Sequence, residues 1–510
     1  MTGRFLPPAE RSETLNFLDD TYDLLVIGSS FASSFFLSRY LQRARPSARI
    51  LVLERGELLD HRSHVTREEE LTRAASASFN GERSSKLWPF RLAVGGSSNC
   101  WWACTPRFLP EDFRLRSMYG VGRDWPVSYD DLEEYYCDAE ETMSVAGPQD
   151  GSPFERSRPY PLPPHRYSEP DRLFKHHFPD TFFPQPAARP TRRLSSGRPR
   201  CCATGVCSRC PIDSKFTILN GLMHLYQSDP RVRLLTGATV THLEIANNRV
   251  VGVGFSLGGI ERRARADVVA LGANAVFNPF LLLRSGLTDG MAGQGLVEQV
   301  SRNVLVDLRG VDGFQGSTSI TGHGYMLYSG THRRERAAAL IESWNVPVMG
   351  DVPLLRNERG KWRQRLKLKF IYEDLPQPDN RVTVGADPAR PDVEYRVHST
   401  YAQRGIDHLE ADLPRVLEAL PVEGYHVVEP EGPTTEGHNL GTTSMGPDPA
   451  TSVVDRRLIH HRVRNLVVLG GSVFPTITPA NPTLTICALS LWAAAKLTAS
   501  GSASSTGAGS

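Results

Sequence analysis

The sequence predicts a mixed α/β fold (α+β overall), in which a discontinuous Rossmann-like domain is joined to a second domain with a sheet flanked by helices. The run from Tyr22 to Ile27 is short and apolar and ends at Gly28, and a helical pattern separates it from a second apolar run at 50–53. Such a β-α-β unit is typical of parallel sheets. Further strand-like runs of this sheet lie at 232–235, 249–255, 267–271 and 466–469, and those of the second sheet lie at 303–308, 365–371, 381–384 and 393–397.

Length and composition limit the classes of protein that the chain can represent. Its 510 residues suffice for two or more domains, and 40% hydrophobic with 22% charged residues is ordinary for a globular protein. A net charge of +2 gives no general attraction to nucleic acid. No apolar run approaches the ~20 residues that span a bilayer. We therefore expect neither a nucleic-acid partner nor direct membrane insertion.

The two ends of the chain carry no predicted core segment. The first twenty residues mix Arg, Glu, Asp and Pro without an apolar stretch, so we expect no secretory signal and, from its absence, a cytoplasmic location. The tail at 499–510 is rich in Gly, Ser and Ala, and this composition predicts disorder.

The turn after the first strand favours dinucleotide binding. Glu54 closes the second strand, where an acid can hold a ribose hydroxyl, and the helix N-terminus at Ser30 and Phe31 can face a pyrophosphate. Only the first glycine of a G-x-G-x-x-G pattern is present, at Gly28, so the segment also fits an ordinary β-α-β core unit. Arg55, next to the acid, belongs to the same candidate site.

Two further turns of small residues strengthen the prediction of a nucleotide site. One ends the strand at 267–271 with Gly272 and Ala273. The other turn offers consecutive backbone amides with little side-chain bulk, at Gly95, Gly96, Ser97 and Ser98. Taken alone, either turn would be an ordinary turn between two elements.

A His and an Asn near the C-terminus are each surrounded by small, turn-forming residues. His438 lies in the segment 437–446, and Asn481 lies in the segment 480–485. Each segment borders an apolar stretch, so the fold can present the two side chains together at the floor of a pocket. A neutral imidazole can accept a proton near neutral pH, which makes His438 a candidate base. Asn481 can bind a substrate oxygen, or it can be the N-cap of a helix over 484–489.

Four of the eight cysteines fall within ten residues. Thiolates bind soft metals, and several thiolates in one loop can surround a single centre. The spacing favours an iron–sulfur site, with a zinc site or a disulfide as alternatives. The four are Cys201, Cys202, Cys207 and Cys210.

These motifs resemble the glucose-methanol-choline (GMC) family of flavoprotein oxidoreductases. The segments around His438 and Asn481 resemble the C-terminal signature of that family. The segments 119–126 and 372–381 resemble the catalytic subunit of the bacterial FAD-dependent glucose, sorbitol and gluconate dehydrogenases. The stretch at 94–107 also resembles pyranose oxidases.

The resemblance implies that the cofactor is FAD and that the protein is an enzyme. In this family the alcohol gives a hydride to the flavin, while a His, here His438, takes the hydroxyl proton and an Asn, here Asn481, fixes the geometry. Cys100 stands where pyranose oxidases carry the His that anchors the flavin covalently, and we expect non-covalent FAD here. The residues that the resemblance places along FAD are Gly28, Ser30, Phe31, Glu54, Arg55, Gly95, Gly96, Ser97, Ser98, Cys100, Trp101, Val240, Gly272, Ala273, Gly470, Gly471, Asn481, Pro482 and Thr483.

The resemblance also implies an electron route. Cys201, Cys202 and Cys207 match three cysteines that hold a 3Fe-4S cluster in the resembled dehydrogenases, whereas Cys210 is one residue out of register with the fourth. A cluster would make the protein a dehydrogenase that feeds a small exported subunit and a cytochrome, and export with that subunit would then be the alternative to a cytoplasmic location. Without a cluster the alternative is an oxygen-using enzyme similar to pyranose oxidases. A non-catalytic electron-transfer flavoprotein is a third interpretation.

The expected reaction is the oxidation of an alcohol group of a sugar, polyol or glycoside to a carbonyl. Glu373, Arg390 and Glu394 are candidates for contact with this substrate. The predicted organisation alternates between the two domains. The FAD-binding domain comprises 20–105, 201–300 (with the cysteine loop) and 431–498, the substrate domain comprises 106–200 and 301–430, and the tail comprises 499–510.

Overall fold

The computed structural model describes residues 20–149, 151–348 and 355–504. The strands are β1 (Thr21–Ile27), β2 (Ile50–Leu53), β3 (Asn80–Ser84), β4 (Phe182–Pro184), β5 (Val232–Leu235), β6 (Ala238–Ala246), β7 (Arg249–Leu257), β8 (Ile260–Leu271), β9 (Val300–Leu308), β10 (Ile320–Leu327), β11 (Ala339–Trp344), β12 (Arg365–Tyr372), β13 (Arg381–Val384), β14 (Pro391–Tyr395), β15 (Val422–Val428) and β16 (Leu466–Val468).

The α-helices lie between these strands and after the last one. They are α1 (Phe31–Leu41), α2 (His61–Thr66), α3 (Glu68–Ser76), α4 (Leu115–Tyr119), α5 (Tyr129–Met143), α6 (Glu169–His177), α7 (Ile218–Gly221), α8 (His224–Gln227), α9 (Asn274–Arg284), α10 (Thr400–Asp407), α11 (Leu409–Leu417) and α12 (Thr483–Ser504).

The first sheet is the predicted Rossmann-like sheet. Its seven strands follow the order β5-β2-β1-β8-β7-β6, and β16 also pairs with β8. Strand β1 is parallel to β2 and β8, and β8 is parallel to β16. The apolar runs of β1 and β2 are buried, as expected for a parallel sheet covered on both faces. Helices α1 and α12 pack against each other beside this sheet.

The second sheet forms the other large core of the protein. Its six strands follow the order β15-β9-β12-β11-β10-β4 and pair antiparallel throughout. Buried residues of α6, α10 and α11 complete the core of this sheet. The sequence therefore predicts correctly a sheet flanked by helices, although of its six strands only β9 and β12 match predicted runs, and β4, β10, β11 and β15 escape the prediction.

A third, three-stranded sheet lies apart from both. It has the order β13-β14-β3, and buried residues of α9 cover it. The sequence interpretation assigns β13 and β14 to the second sheet. They belong instead with β3, because β14 pairs in parallel with a strand near the other end of the chain, at Asp392↔Asn80.

The local sequence explains where α5 begins and ends. The side chain of Ser128 accepts a hydrogen bond from the backbone N–H of Asp131 at 3.1 Å, and the carboxylate of Asp131 accepts one from the N–H of Ser128 at 2.9 Å. This capping box satisfies two amides that the helix itself leaves unpaired. At the other end Ser144 adopts a left-handed φ of 56° and stops the helix.

The C-terminal helix extends beyond residue 498, where the sequence predicts that the folded domain ends. Helix α12 runs to Ser504 and so includes the start of the predicted tail, while 505–510 lie outside the described residues, as do the first nineteen residues. None of the described helices combines the length and apolar composition that crossing a membrane requires.

A buried guanidinium joins the loop before α4 to the second sheet. Arg333 donates to Asp112 Oδ1 at 2.9 Å, to Glu373 Oε2 at 2.6 Å and to Glu111 Oε1 at 2.8 Å. Its side chain and those of Asp112 and Glu373 have no solvent exposure. Burial raises the pKa of Asp112 to about 6, and Arg333 opposes that rise. The cation therefore opposes protonation of Asp112.

Replacement of this cation should destabilise the fold. We expect Arg333→Met to cost about 3–5 kcal/mol, because it leaves Asp112 and Glu373 buried without the cation that pairs with them. The midpoint of thermal unfolding of the variant, followed by circular dichroism, checks this. Arg396→Met is the matched control, since Arg396 faces Asp379 at 4.0 Å with both side chains about three-quarters exposed. Equal midpoints for the two variants would contradict the assignment.

Candidate active site

The ends of β1 and β8 approach so closely that only glycine fits between them. Gly28 has a left-handed φ of +92°, and a Cβ placed there would lie 2.6 Å from the carbonyl oxygen of Gly272. A Cβ on Gly96 would likewise lie 2.6 Å from the Cβ of Ser30. The side chain of Ser30, the N-cap residue of α1, makes no capping hydrogen bond. These contacts leave an open backbone cradle at the N-terminus of α1, where an anion is favoured.

Glu54 lies beside this cradle, at the end of β2. Its Oε2 accepts from Ser29 Oγ at 2.6 Å, and its Oε1 accepts from the backbone N–H of Gly56 at 2.7 Å. The amide of Gly95 donates to Ser29 Oγ at 3.0 Å, which ties the glycine turn to the same carboxylate. Burial raises the pKa of Glu54, and the hydrogen bonds from Ser29 and Gly56 oppose the rise.

One cavity of about 800 Å³ connects the cradle with the two C-terminal candidates. This volume is within the range of pockets that enclose a ligand. Two of the residues predicted along the cofactor, Gly95 and Ser98, do not line this cavity. They contact each other instead, since Ser98 Oγ donates to the carbonyl of Gly95 at 2.7 Å. The predicted residues that line the cavity are Gly28, Ser30, Phe31, Glu54, Arg55, Gly96, Ser97, Cys100, Trp101, Val240, Gly272, Ala273, His438, Gly470, Gly471, Asn481, Pro482 and Thr483.

His438 is fixed at both its backbone and its ring. Its N–H donates to Glu298 Oε1 at 3.0 Å, and its Nδ1 lies 2.9 Å from Gln299 Oε1. Removal from water lowers the pKa of His438 below its ordinary value of 6.5, although Glu298 and Glu436 oppose the change. The ring is therefore neutral at neutral pH, and a neutral ring can accept a proton.

Asn481 immediately precedes Pro482 and the start of α12. Asn481 is 8% exposed, and its Oδ1 is buried without a hydrogen-bond partner within the described part of the chain. A buried polar atom of this kind is costly unless a ligand or water satisfies it. Since Asn481 and His438 line the same cavity, the orphaned amide indicates where a polar ligand group binds.

The polar wall near His438 contains residues that the sequence interpretation missed. Glu342 and Trp344 are two residues apart on β11 and so lie on the same face of the sheet. In the register of the two strands, Glu342 lies opposite Lys369 of β12. Trp344 Nε1 donates to Glu342 Oε2 at 3.0 Å, and the rings of Trp344 and Trp102 lie 4.9 Å apart. Lys369 Nζ lies 2.5 Å from Glu436 Oε2. The available signal is a charged residue within an apolar strand, which is Glu342 in β11 and Lys369, at alternate spacing with Lys367, in β12.

The charge of Glu342 is maintained despite its burial. Burial alone would raise the pKa of this carboxyl, but His323, Lys369 and Trp344 Nε1 outweigh it, so the pKa lies below its ordinary value. The cavity wall therefore carries an anion at neutral pH, close to the cation Lys369.

The three candidates for substrate contact lie outside this cavity. Glu373 is enclosed in the Arg333 cluster, where its Oε1 also accepts from Tyr401 at 2.9 Å. Arg390 donates to the carbonyl of Phe79 at 3.0 Å. Glu394 pairs with Arg381 and Arg83 across the third sheet. The structure does not bring these side chains to the cavity, because each is engaged in a structural contact elsewhere.

The cysteine loop does not form a metal centre as it is placed. Cys207 Sγ receives a hydrogen bond from Arg189 Nη1 at 3.3 Å, and Cys201 Sγ lies 3.5 Å from Thr318 Oγ1. Burial raises the pKa of Cys201, which opposes the thiolate that a metal requires. In the described ranges no three His, Cys, Asp or Glu side chains are grouped to bind a metal ion. The geometry therefore gives the predicted cluster no support.

Comparison with known proteins identifies the family. A family profile described as GMC oxidoreductase matches residues 376–490. The fructose dehydrogenase large subunit of Gluconobacter japonicus is 32% identical over 443 residues, which cover 79% of each chain. The paromamine 6'-oxidase of Streptomyces fradiae is 26% identical over 524 residues, covering 93% of this chain and 90% of that protein.

Solved structures share the fold at lower identity. Pyridoxine 4-oxidase from Mesorbium loti superposes with a TM-score of 0.63 at 18% identity, covering 93% of this chain and 99% of that one. An FAD-dependent oxidoreductase from Chaetomium thermophilum gives a TM-score of 0.66 at 13% identity, covering 94% and 100%. The chain therefore belongs to the glucose-methanol-choline family of flavoprotein oxidoreductases, enzymes that act on CH–OH groups.

Proposed function

We propose that this enzyme oxidises an alcohol group of a sugar, polyol or glycoside to a carbonyl, with FAD as cofactor, His438 as base and Asn481 as its partner. One observation carries the proposal. A single cavity joins the glycine cradle at the ends of β1 and β8 to a neutral imidazole and an unpartnered amide.

The cradle fits the dinucleotide that the family implies. The open backbone at Gly28 and Gly96 would hold the pyrophosphate against the N-terminus of α1, and Glu54 would accept from a ribose hydroxyl. Cys100 lines the cavity with its thiol 3.6 Å from the carbonyl of Ser97, and we propose that the cofactor is bound without a covalent link. When bound, FAD supplies the acceptor for the hydride of the alcohol carbon.

His438 and Asn481 supply the remaining chemistry. The imidazole takes the hydroxyl proton of the alcohol, which strengthens the tendency of the carbon to release its hydride. The amide of Asn481 binds the same oxygen and fixes its orientation, which restricts the alcohol to a reactive geometry. The hydroxyl has one hydrogen and gives it to His438, so Asn481 would donate to the oxygen through Nδ2. Its buried Oδ1, which lacks a partner within the described residues, would accept from a further donor group of the ligand.

The wall formed by Trp102, Trp344, Glu342 and Lys369 supports a polyhydroxylated substrate. Aromatic rings offer an apolar face to the C–H groups of a sugar ring, while a charged carboxylate and ammonium accept and donate hydrogen bonds to hydroxyls. The cavity is lined by all four residues, as it is by His438. A hydrocarbon alcohol would leave Glu342 and Lys369 without ligand partners.

The electron acceptor is proposed from the relatives. The protein from Gluconobacter japonicus is named the large subunit of a dehydrogenase, and a 23% identical protein from Pantoea cypripedii is named a gluconate 2-dehydrogenase flavoprotein. The words 'large subunit' support a dehydrogenase that passes electrons to a partner subunit, and we propose a cytochrome as the next acceptor. The paromamine 6'-oxidase supports the oxygen-using alternative, but it is less similar over the aligned region.

Replacement of the base tests the mechanism. We expect His438→Ala to slow reduction of bound FAD by substrate about 100- to 10,000-fold, because no other group takes the hydroxyl proton. Stopped-flow absorbance of the flavin measures this rate. His176→Ala, at an exposed position of α6, is the control and should reduce its flavin at the wild-type rate. A His438→Ala enzyme that binds FAD and keeps the wild-type rate would exclude the mechanism.

The pH dependence follows from the lowered pKa of His438. The base is active only when unprotonated, and burial lowers its pKa below 6.5. The rate is therefore retained as pH falls through 6.5 and is lost only when pH falls through the lowered pKa. Measurement of kcat/KM against pH should place the acid limb below pH 6.5. If the acid limb lay above pH 6.5 in the wild type and were absent from the His438→Ala profile, the pKa of His438 would be raised rather than lowered. That result would contradict the buried environment described for this ring.

The polar wall can be tested through substrate binding. We expect Glu342→Gln to raise KM for a sugar or polyol substrate about tenfold or more, since a hydrogen bond to a charged group contributes roughly 1.5–3 kcal/mol. Steady-state kinetics with a panel of sugars and polyols measures the change. Glu335→Gln is the control, because Glu335 lies outside the cavity lining. An unchanged KM for every active substrate would remove Glu342 from recognition.

A further inference from the structure

We infer that Gln299 is a positioning residue that fixes the tautomer of His438 and joins the base to the loop that carries Asn481. This inference rests on the proposed function, because it concerns the same site. Gln299 has no solvent exposure and lies directly before β9. Nothing in the sequence distinguishes it from other glutamines.

The orientation of the Gln299 amide is determined by its neighbours. Its Nε2 lies 2.9 Å from the carbonyl oxygen of Thr478 and 3.1 Å from that of Ala480. A carbonyl oxygen only accepts, so the amide nitrogen must face these two atoms and both of its hydrogens are used. The reversed amide would place three acceptor oxygens together and lose both hydrogen bonds.

This orientation determines which ring nitrogen of His438 carries the hydrogen. Gln299 Oε1 lies 2.9 Å from His438 Nδ1, and an amide oxygen cannot donate. Nδ1 must therefore be the donor. A neutral imidazole has one N–H, so Nε2 keeps its lone pair. Nε2 makes no hydrogen bond within the described residues, so it is left as the nitrogen that can take a proton from a ligand in the cavity.

The same amide connects the two proposed catalytic side chains. Ala480, whose carbonyl accepts from Gln299, is the residue directly before Asn481. His438 and Asn481 come from segments of the chain that are distant in sequence, and Gln299 bonds to both segments. A shift of either segment would strain or break a hydrogen bond to this one side chain, which keeps the base and the orienting amide in register.

Four charged groups face the imidazole and contribute to its proton affinity. Glu298, Glu436 and Glu342 favour the protonated ring, whereas Lys369 disfavours it. Gln299 is neutral and contacts the ring directly, so it sets the tautomer without adding charge. Replacement of this amide by a carboxylate changes the charge at Nδ1 while the four surrounding groups stay the same.

Two variants test the inference by different readouts. Gln299→Leu removes the acceptor for Nδ1–H, and we expect flavin reduction to slow about 10- to 100-fold with KM changed much less. Gln299→Glu places a carboxylate at Nδ1, and we expect the acid limb of kcat/KM to move up by about one pH unit or more, because an adjacent anion favours the protonated ring. A residue that supported the fold without contacting the ring would leave that limb in place.

Gln149→Leu is the matched control. Gln149 Nε2 also donates to two backbone carbonyls, at 3.3 Å to Gly147 and 3.1 Å to Leu162, but it lies outside the cavity lining. We expect this variant to keep the wild-type rate and pH limb. The FAD content of each purified variant shows whether it has folded around the cofactor.

A measurement on the unmodified protein keeps the inference testable if the Gln299 variants do not fold. Nitrogen-15 NMR of histidine-labelled enzyme, assigned by difference from His438→Ala, should show the hydrogen on Nδ1. A hydrogen on Nε2 would overturn the inference. Wild-type rates and an unmoved pH limb in both Gln299 variants would also overturn it, while the loss of activity in His438→Ala would still support the proposed function.

Discussion

A buried carboxylate, that of Glu298, holds the loop that brings His438 to the cavity. Its Oε1 accepts from Thr435 Oγ1 at 2.8 Å and from the backbone N–H groups of Glu436 and His438 at 2.8 and 3.0 Å. Its Oε2 pairs with Lys86 at 2.7 Å, and its side chain has no exposure. A buried charge is costly unless it is paired and fully hydrogen-bonded, so this loop can adopt few other conformations.

Lys86 connects that loop to a distant part of the chain. Its ammonium also donates to the backbone carbonyl of Gln299 at 2.8 Å, so one cation contacts two consecutive residues before β9. The segment containing Lys86 lies between β3 and the glycine turn at Gly96, which forms part of the cradle. The cradle and the loop that carries His438 therefore share a support, and buried charge rather than a flexible connection determines the distance between them.

Sequence reasoning recovered the parts of this protein that are encoded locally. The apolar runs of β1 and β2, and Gly28 between them and α1, predict the Rossmann-like unit because period and turn chemistry are properties of short segments. It did not recover the third sheet, since β3 and β14 pair across most of the chain. It also placed Glu373 near the substrate, whereas that carboxylate is paired with Arg333 in the interior.

The fold class and the family signature can be predicted from the sequence, because both depend on residue type in a local context. The same holds for the choice of His438 and Asn481 as candidates. Which side chains surround these two depends on the tertiary structure. Glu342 and Lys369 reach the cavity because β11 and β12 pair in one register, and Gln299 reaches His438 because β9 begins beside that loop. These contacts depend on the pairing of distant segments, and no short stretch of sequence encodes that pairing.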